Sequence, residues 1–270
     1  MVEAPHLVFA IGDVHGRADL LESLLEAISE YARHNSRSYR VVFLGDIIDR
    51  GPNSRKAMEL VCKTLKQFDE SRLILGNHDE FLLRVLNPQQ EHRDRVLAHW
   101  RKQGGEQTLY SYGFLGYEKA DLIAEELQDR FPEHIAALRV AEDIVIEGEY
   151  AFVHAGVRPG LPLSAQSGKD LRWIREGFLE HDGPFEKIII HGHTVTKSHR
   201  PEVYPNRIAI DTGAYATGFL TAAVIDLGDA KPVRFLVGSI SNTGFQVDEV
   251  NAENETVKKL GTPSLELLSI

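Results

Sequence analysis

Cysteine is nearly absent from this chain of 270 residues: Cys62 stands alone, so no disulfide can form within it. Cys62 lies among Ala57, Leu60, Val61 and Leu65 at helical spacing and reads as a buried, inert thiol. Long apolar runs are missing too. No stretch approaches the ~18 residues that a membrane-crossing helix needs. The opening residues hold no charged, apolar and cleavage regions in succession, so the expectation is a cytoplasmic protein without signal peptide or membrane partner. Basic charge is in deficit, with 30 Lys and Arg against 40 Asp and Glu, a formal charge of -10 and a pI near 5.6. That balance argues against a nucleic-acid partner, whose phosphates call for a basic face. The whole composition, 43% hydrophobic and 26% charged, suits a globular protein long enough to bury a large core undivided.

The first half alternates strand and helix signals. Short apolar runs at 7–11, 39–44 and 72–75 each end in glycine, and helical spacing follows at 18–32 and about 53–67. This alternation predicts βαβ units in a largely parallel sheet. Residues 80–142 carry long amphipathic patterns instead: helices are expected at 81–86, 91–103 and 119–139, with a Gly/Tyr-rich connection over 104–117. They read as a helical insertion over one sheet edge. A second strand-rich half spans 144–147, 150–153, 187–190, 207–211, 220–226 and 233–237. The turn Glu147, Gly148, Glu149 suggests a hairpin and mixed pairing. One domain over 1–240 is expected, with 241–270 as a loosely packed extension.

Chemistry gathers where strands end. Gly12-Asp13-Val14-His15-Gly16, Gly45-Asp46-Ile47-Ile48-Asp49-Arg50-Gly51 and Gly76-Asn77-His78-Asp79 follow the first three strands. His154-Ala155-Gly156 and His191-Gly192-His193-Thr194 follow two in the second half. A lone Asp or His at such a place is commonly a turn or a helix cap. Five of them in one chain point to a single crevice beyond the carboxyl ends of the strands. Asp, Asn and His donors without a thiolate suit manganese, iron or zinc. Two aspartates and three histidines exceed one ion's needs but fit a pair about 3.5–4 Å apart, the recurring device for displacement at phosphorus.

These motifs, in this order, resemble the calcineurin-like metallophosphoesterases, and most closely the phosphoprotein phosphatase branch in its bacterial serine/threonine phosphatase form. The likeness runs from Leu7 to Asp226 and includes Gly104-Gly105-Glu106-Gln107-Thr108-Leu109, Asp170-Leu171-Arg172-Trp173-Ile174-Arg175 and Ile210-Asp211-Thr212-Gly213. It implies a four-layer α/β/β/α sandwich of two mixed sheets. It also implies two divalent cations, one held by Asp13, His15 and Asp46 and the other by Asp46, Asn77, His154 and His193. His193 is preferred to His191 because it follows the glycine as the family's ligand does. By the same resemblance a hydroxide bridging the metals attacks phosphorus, His78 protonates the leaving oxygen and Asp49 orients His78. Arg50 and Arg175 would clamp the phosphate with Asn77, Arg172 being the alternative to Arg175. Val195 replaces a further histidine found in relatives outside that branch.

The implied enzyme is a phosphomonoesterase acting on phosphoserine or phosphothreonine proteins, with phosphotyrosine as a further substrate. A symmetrical diadenosine tetraphosphate hydrolase is the alternative, and a catalytically idle metal- or phosphoprotein-binding scaffold is the reading from another class. Trp100, Tyr110, Tyr112 and Phe114 are expected to line the pocket, although core packing is the commoner use of such aromatics, whereas His6, His34, His92, His99, His134, His181 and His199 read as surface or structural residues.

Overall fold

The computed structural model describes residues 7–68, 70–115, 118–228, 233–241 and 244–251. Strands β1 (Leu7–Ile11), β2 (Tyr39–Phe43) and β3 (Arg72–Leu73) run parallel. On the other side of β1 lie β9 (Leu220–Asp226), β10 (Arg234–Ser241) and β11 (Gly244–Asn251), each antiparallel to its neighbour. The sheet order is β11-β10-β9-β1-β2-β3. A second sheet joins β4 (Ile144–Glu147), β5 (Tyr150–Val153), β6 (Ile188–His191), β8 (Arg207–Ala209) and β7 (Glu202–Val203) in that order. The expected hairpin joins β4 and β5, with Glu147 opposite Tyr150.

The period-2 alternation of β1 explains the layering. Leu7, Phe9 and Ile11 face helices, while Val8 and Ala10 face the second sheet and share a core with its Phe152, Ile190 and Ile208 and with Phe235 of β10. Helix α1 (Ala18–His34) turns Leu20, Leu21, Leu24 and Ile28 onto the first sheet, each worth about 1.5–3 kcal/mol of burial. Helix α2 (Ser54–Gln67) lies beside it. On the far face of the second sheet, Ala151, Val153 and Ile189 pack under Leu163, Phe178 and Leu171, the last from the short helix α8 (Gly168–Trp173). The result is the expected α/β/β/α order, with a thin outer layer on one side.

The insertion consists of α3 (Asn77–Leu86), α4 (Arg93–Trp100), α5 (Glu106–Tyr112), α6 (Ala120–Arg130) and α7 (Pro132–Arg139). It shares the core of α1 and α2 and so extends their layer. Two expectations are corrected here. The connection over 104–117 is helical through Tyr112, reached by a π turn, Arg101–Gly105, in which Gly104 takes φ 111°. The single helix over 119–139 is two, because Pro132 begins a new helix where its missing N–H costs nothing. Residues 244–251 pair along the whole of β10 as an edge strand, and the rest of the expected loose extension, 252–270, lies outside the described residues. Among the described residues no helix is long and apolar enough to cross a membrane.

Candidate active site

The carboxyl ends of β1, β2, β3, β5 and β6 converge on one crevice. Asp13, His15, Asp46, Asn77, His154 and His193 are all buried there. Backbone strain marks the same place. His15, Asp46, Asp49, Arg50 and His193 have φ of 45°, 50°, 77°, 67° and 64°, a region that costs non-glycine residues about 1–3 kcal/mol each. Neighbouring main chain enforces it. Gly76 lies so close to Asp46 that a Cβ there would collide with the Asp46 main chain and carboxylate.

Asp46 stands between two sets of donors. Its Oδ2 lies 3.6 Å from His15 Nε2, its Oδ1 3.5 Å from His154 Nε2, and Oδ1 also accepts the His78 backbone N–H at 2.8 Å. Backbone carbonyls fix the tautomers. His15 Nδ1 donates to Ile48 O at 2.9 Å and His154 Nδ1 to Leu44 O at 2.8 Å, so both Nε2 lone pairs face the Asp46 carboxylate. Lone pairs aimed at a carboxylate repel unless a cation lies between them. Asn77 Oδ1 adds a third donor, 2.9 Å from His154 Nε2 and 2.8 Å from His193 Nδ1.

The charges lead to the same place. Burial pulls His15 down to about 3 and also lowers His154 and His193, leaving neutral imidazoles fit for ligation. Burial, with mutual repulsion, pushes Asp79 up to about 7, Asp211 to about 6, and Asp13 well above the usual range. Buried carboxylates crowded in this way call for cations, and a hard oxygen/nitrogen donor set suits divalent ones.

Among the described residues, two groups each gather donor atoms within 4.8 Å of one another: His15, Asp46 and His78, and Asp46, His154 and His193. Both contain Asp46, as expected of a shared ligand. The first contains His78 where the resemblance implied Asp13. The Asp13 carboxylate instead accepts the His193 N–H, at 3.1 and 3.2 Å. His78 Nδ1 meets Asp49 Oδ2 at 2.7 Å, which leaves Nε2 facing the cavity. Burial would lower His78, but Asp46 and the bond to Asp49 push it above its ordinary value.

Arg50 reaches into the crevice, with Nη1 3.0 Å from His15 Nε2 and Nη2 3.0 Å from His78 Nε2. A cavity of about 190 Å³ is lined by Asp46, Arg50, Asn77, His78, Arg175 and His193, with Phe81, His99, Gln103 and Trp173 as further walls. Arg172 is turned away, ion-paired with Asp143 and, at 3.3 Å, with Glu80; of the two arginines, Arg175 faces the cavity. His191 packs on Phe178 in the outer core.

The aromatics of the insertion pack into the core rather than line the pocket, Tyr110 excepted. Tyr110 is exposed, Tyr112 bonds His134 at 2.8 Å in the helical core, and Phe114 is buried in the same core. Trp100 is buried beneath Asp49, to which its Nε1 donates at 2.7 Å. Phe81 and Trp173 line the cavity instead, with the exposed His99 as a further wall. Tyr215, which sequence reasoning missed, lies beside Arg50, 4.7 Å from ring centroid to Cζ. Its only signal was its place two residues after the Asp211-Thr212-Gly213 run.

Comparison with known proteins agrees with this geometry. The bis(5'-nucleosyl)-tetraphosphatase PrpE [asymmetrical] of Oceanobacillus iheyensis is 29% identical over 234 residues, covering 78% of this chain and 86% of that one. The crystal structure of a candidate diadenosine tetraphosphatase superposes with a TM-score of 0.56 at 19% identity, covering 94% of this chain and 97% of the other. A serine/threonine phosphatase of Saccharomyces cerevisiae shares the fold with a TM-score of 0.52 at 14% identity, over 93% and 82% of the two chains. The sequence profile of the calcineurin-like phosphoesterases matches residues 6–215. The chain therefore belongs to the calcineurin-like phosphoesterase family.

Proposed function

We propose that this phosphoesterase works with two divalent cations, one on Asp13, His15 and Asp46 and one on Asp46, Asn77, His154 and His193. The observation that carries the reading is the Asp46 carboxylate, whose two oxygens face imidazoles from opposite sides. Manganese is the candidate that the oxygen and nitrogen donors favour, with iron or zinc as alternatives. When bound, the cations supply Lewis acidity and a water acidic enough to attack phosphorus near neutral pH. Arg50 and Arg175 hold the phosphate oxygens, with the Asn77 amide beside them. His78 gives its proton to the leaving oxygen, and Asp49 keeps the ring aimed at it.

A phosphoryl group fits a cavity of about 190 Å³, while the rest of a substrate must lie across its mouth. There the half-exposed Tyr215 offers a ring beside Arg50 on which a base can stack. With the nucleotide-hydrolysing name of the Oceanobacillus relative, this supports a dinucleoside tetraphosphate as substrate. A phosphoserine or phosphothreonine protein is the second reading, favoured by the exposed Arg175 at the rim and by the fold shared with the yeast phosphatase. A cytoplasmic setting completes the proposal. Manganese-loaded protein assayed on diadenosine tetraphosphate and on phosphoserine and phosphotyrosine peptides tests it. Dominant turnover of the dinucleotide is expected. Preference for a peptide would move the assignment to the second reading, and inactivity on all three would sink both.

A further inference from the structure

The run Gly104-Gly105-Glu106-Gln107-Thr108 is used neither by the proposed metal ligands nor by the phosphate clamp, yet it closes around Asp49 and Arg50. Asp49 Oδ2 receives both His78 Nδ1 and Trp100 Nε1 at 2.7 Å. Its Oδ1 receives the Thr108 hydroxyl at 2.7 Å. The Asp49 N–H reaches Thr108 Oγ1 at 2.9 Å and Ser54 Oγ at 3.1 Å, and the two hydroxyls are 3.0 Å apart. Asp49, Ser54, Trp100 and Thr108 are each 0% exposed.

A hydroxyl has one proton and two lone pairs, which fixes every direction in this network. The Thr108 proton is committed to Asp49 Oδ1, so the Ser54 hydroxyl must donate to Thr108. The second Thr108 lone pair then takes the Asp49 N–H. Ser54 Oγ is left as an acceptor for the same N–H. Next in the chain, Arg50 N donates to Gly104 O at 3.0 Å, and Gly104 must be glycine: a Cβ there would meet Arg50 Cγ at 2.7 Å, and its φ is +111°. Asp49 and Arg50 are both held in the left-handed region, and such a conformation persists where its surroundings over-determine it.

We infer that Thr108 and Trp100 are positioning residues for proton donation by His78, because they fix the Asp49 carboxylate on which the His78 ring is hung. The helical insertion is then part of the catalytic apparatus. This rests on the reading of His78 as proton donor. In that step the bond from phosphorus to the leaving oxygen breaks with its electron pair on the oxygen. Arg50 Nη2, which faces His78 Nε2 in the free protein, turns to the phosphate so that Nε2 can hold a proton. The leaving oxygen takes that proton, water adds the new oxygen to phosphorus and releases a proton, and solvent returns one to Nε2. His78 Nδ1–H stays on Asp49 throughout. A carboxylate free to rotate would let the ring swing away from the leaving oxygen.

The test uses leaving groups of unequal need. p-Nitrophenolate departs without a proton, while phenolate departs far better with one. Manganese-loaded Thr108→Val and Trp100→Phe are expected to lose roughly 30-fold in kcat on phenyl phosphate and roughly 3-fold on p-nitrophenyl phosphate, within the range general-acid catalysis supplies. KM and bound metal should stay near wild type, and Thr108→Ser should restore the phenyl phosphate rate. Equal losses on both substrates, in His78→Asn as well as in these variants, would overturn the proton-donor reading and this inference with it. A leaving-group bias in His78→Asn but not in Thr108→Val or Trp100→Phe would overturn the inference alone. Trp100→Phe carries the test if Thr108→Val does not fold.

Discussion

Asp46 faces two sets of neighbours with one carboxylate, from a backbone held at φ 50°. Its place in the crevice could be foreseen because a Gly-Asp pair at a strand end is a local pattern, readable without the fold. Thr108 and Trp100 could not be assigned in this way. Their partner, Asp49, is 59 and 51 positions distant, and nothing local states that a threonine hydroxyl is committed. Cys62 offers a simpler check at this scale. Burial, with Glu133 nearby, pushes its thiol up to about 11. The folded thiol is therefore the harder one to ionise. Its stabilising contribution is complete below the unfolded thiol's ~8.5 and is lost as pH rises through about 11. At pH 8 a thiol reagent should react with the native protein at the rate of unfolding, and denaturant should accelerate labelling. Prompt stoichiometric labelling of folded protein would contradict this.

Among the elements, the strand ends were legible and the insertion less so. Strand ends declare themselves through β-branched and aromatic runs that stop at glycine, whereas α5 is seven residues long, too short for its periodicity to outweigh two glycines in front of it. The proline that splits 119–139 was visible, but at N1 it starts a helix rather than only ending one. Arg172 and Arg175 fall on the two sides of a helix end at Trp173, so choosing between them required the ion pairs with Glu80 and Asp143. Gly76 shows how tightly these ends are packed. Gly76→Ala drives a methyl into the Asp46 main chain and should cost on the order of 2–3 kcal/mol, with weaker metal retention. Equilibrium unfolding and bound-metal analysis would detect both, and a variant as stable and metal-rich as wild type would refute the close approach.

At the scale of the whole molecule, the two strand-rich halves became two sheets face to face, as their alternation suggested, while the last strand was hidden in a polar sequence. Asp248 and Glu249 made 244–251 read as loose chain. The strand instead turns Val247 toward the helical core and Val250 toward the core between the sheets. Ending the chain before Gly244 should therefore lower Tm by roughly 5–10 °C, as loss of about 2–3 kcal/mol does in a domain of this size. Calorimetry would show it, and an unchanged Tm would mean that β11 adds nothing to the sheet. The same scale resolves the charge. A chain of net charge -10 can still receive an anion because its crowded carboxylates are turned inward toward the proposed cations rather than outward toward the substrate.

The most direct test of the two-cation account is metal stoichiometry by elemental analysis after manganese loading and gel filtration, with Asp46→Asn beside the wild type. Two ions per chain are expected for the wild type, with both lost together in Asp46→Asn. One ion per chain in the wild type, or an Asp46→Asn protein that keeps its full complement, would contradict a carboxylate shared between two metals.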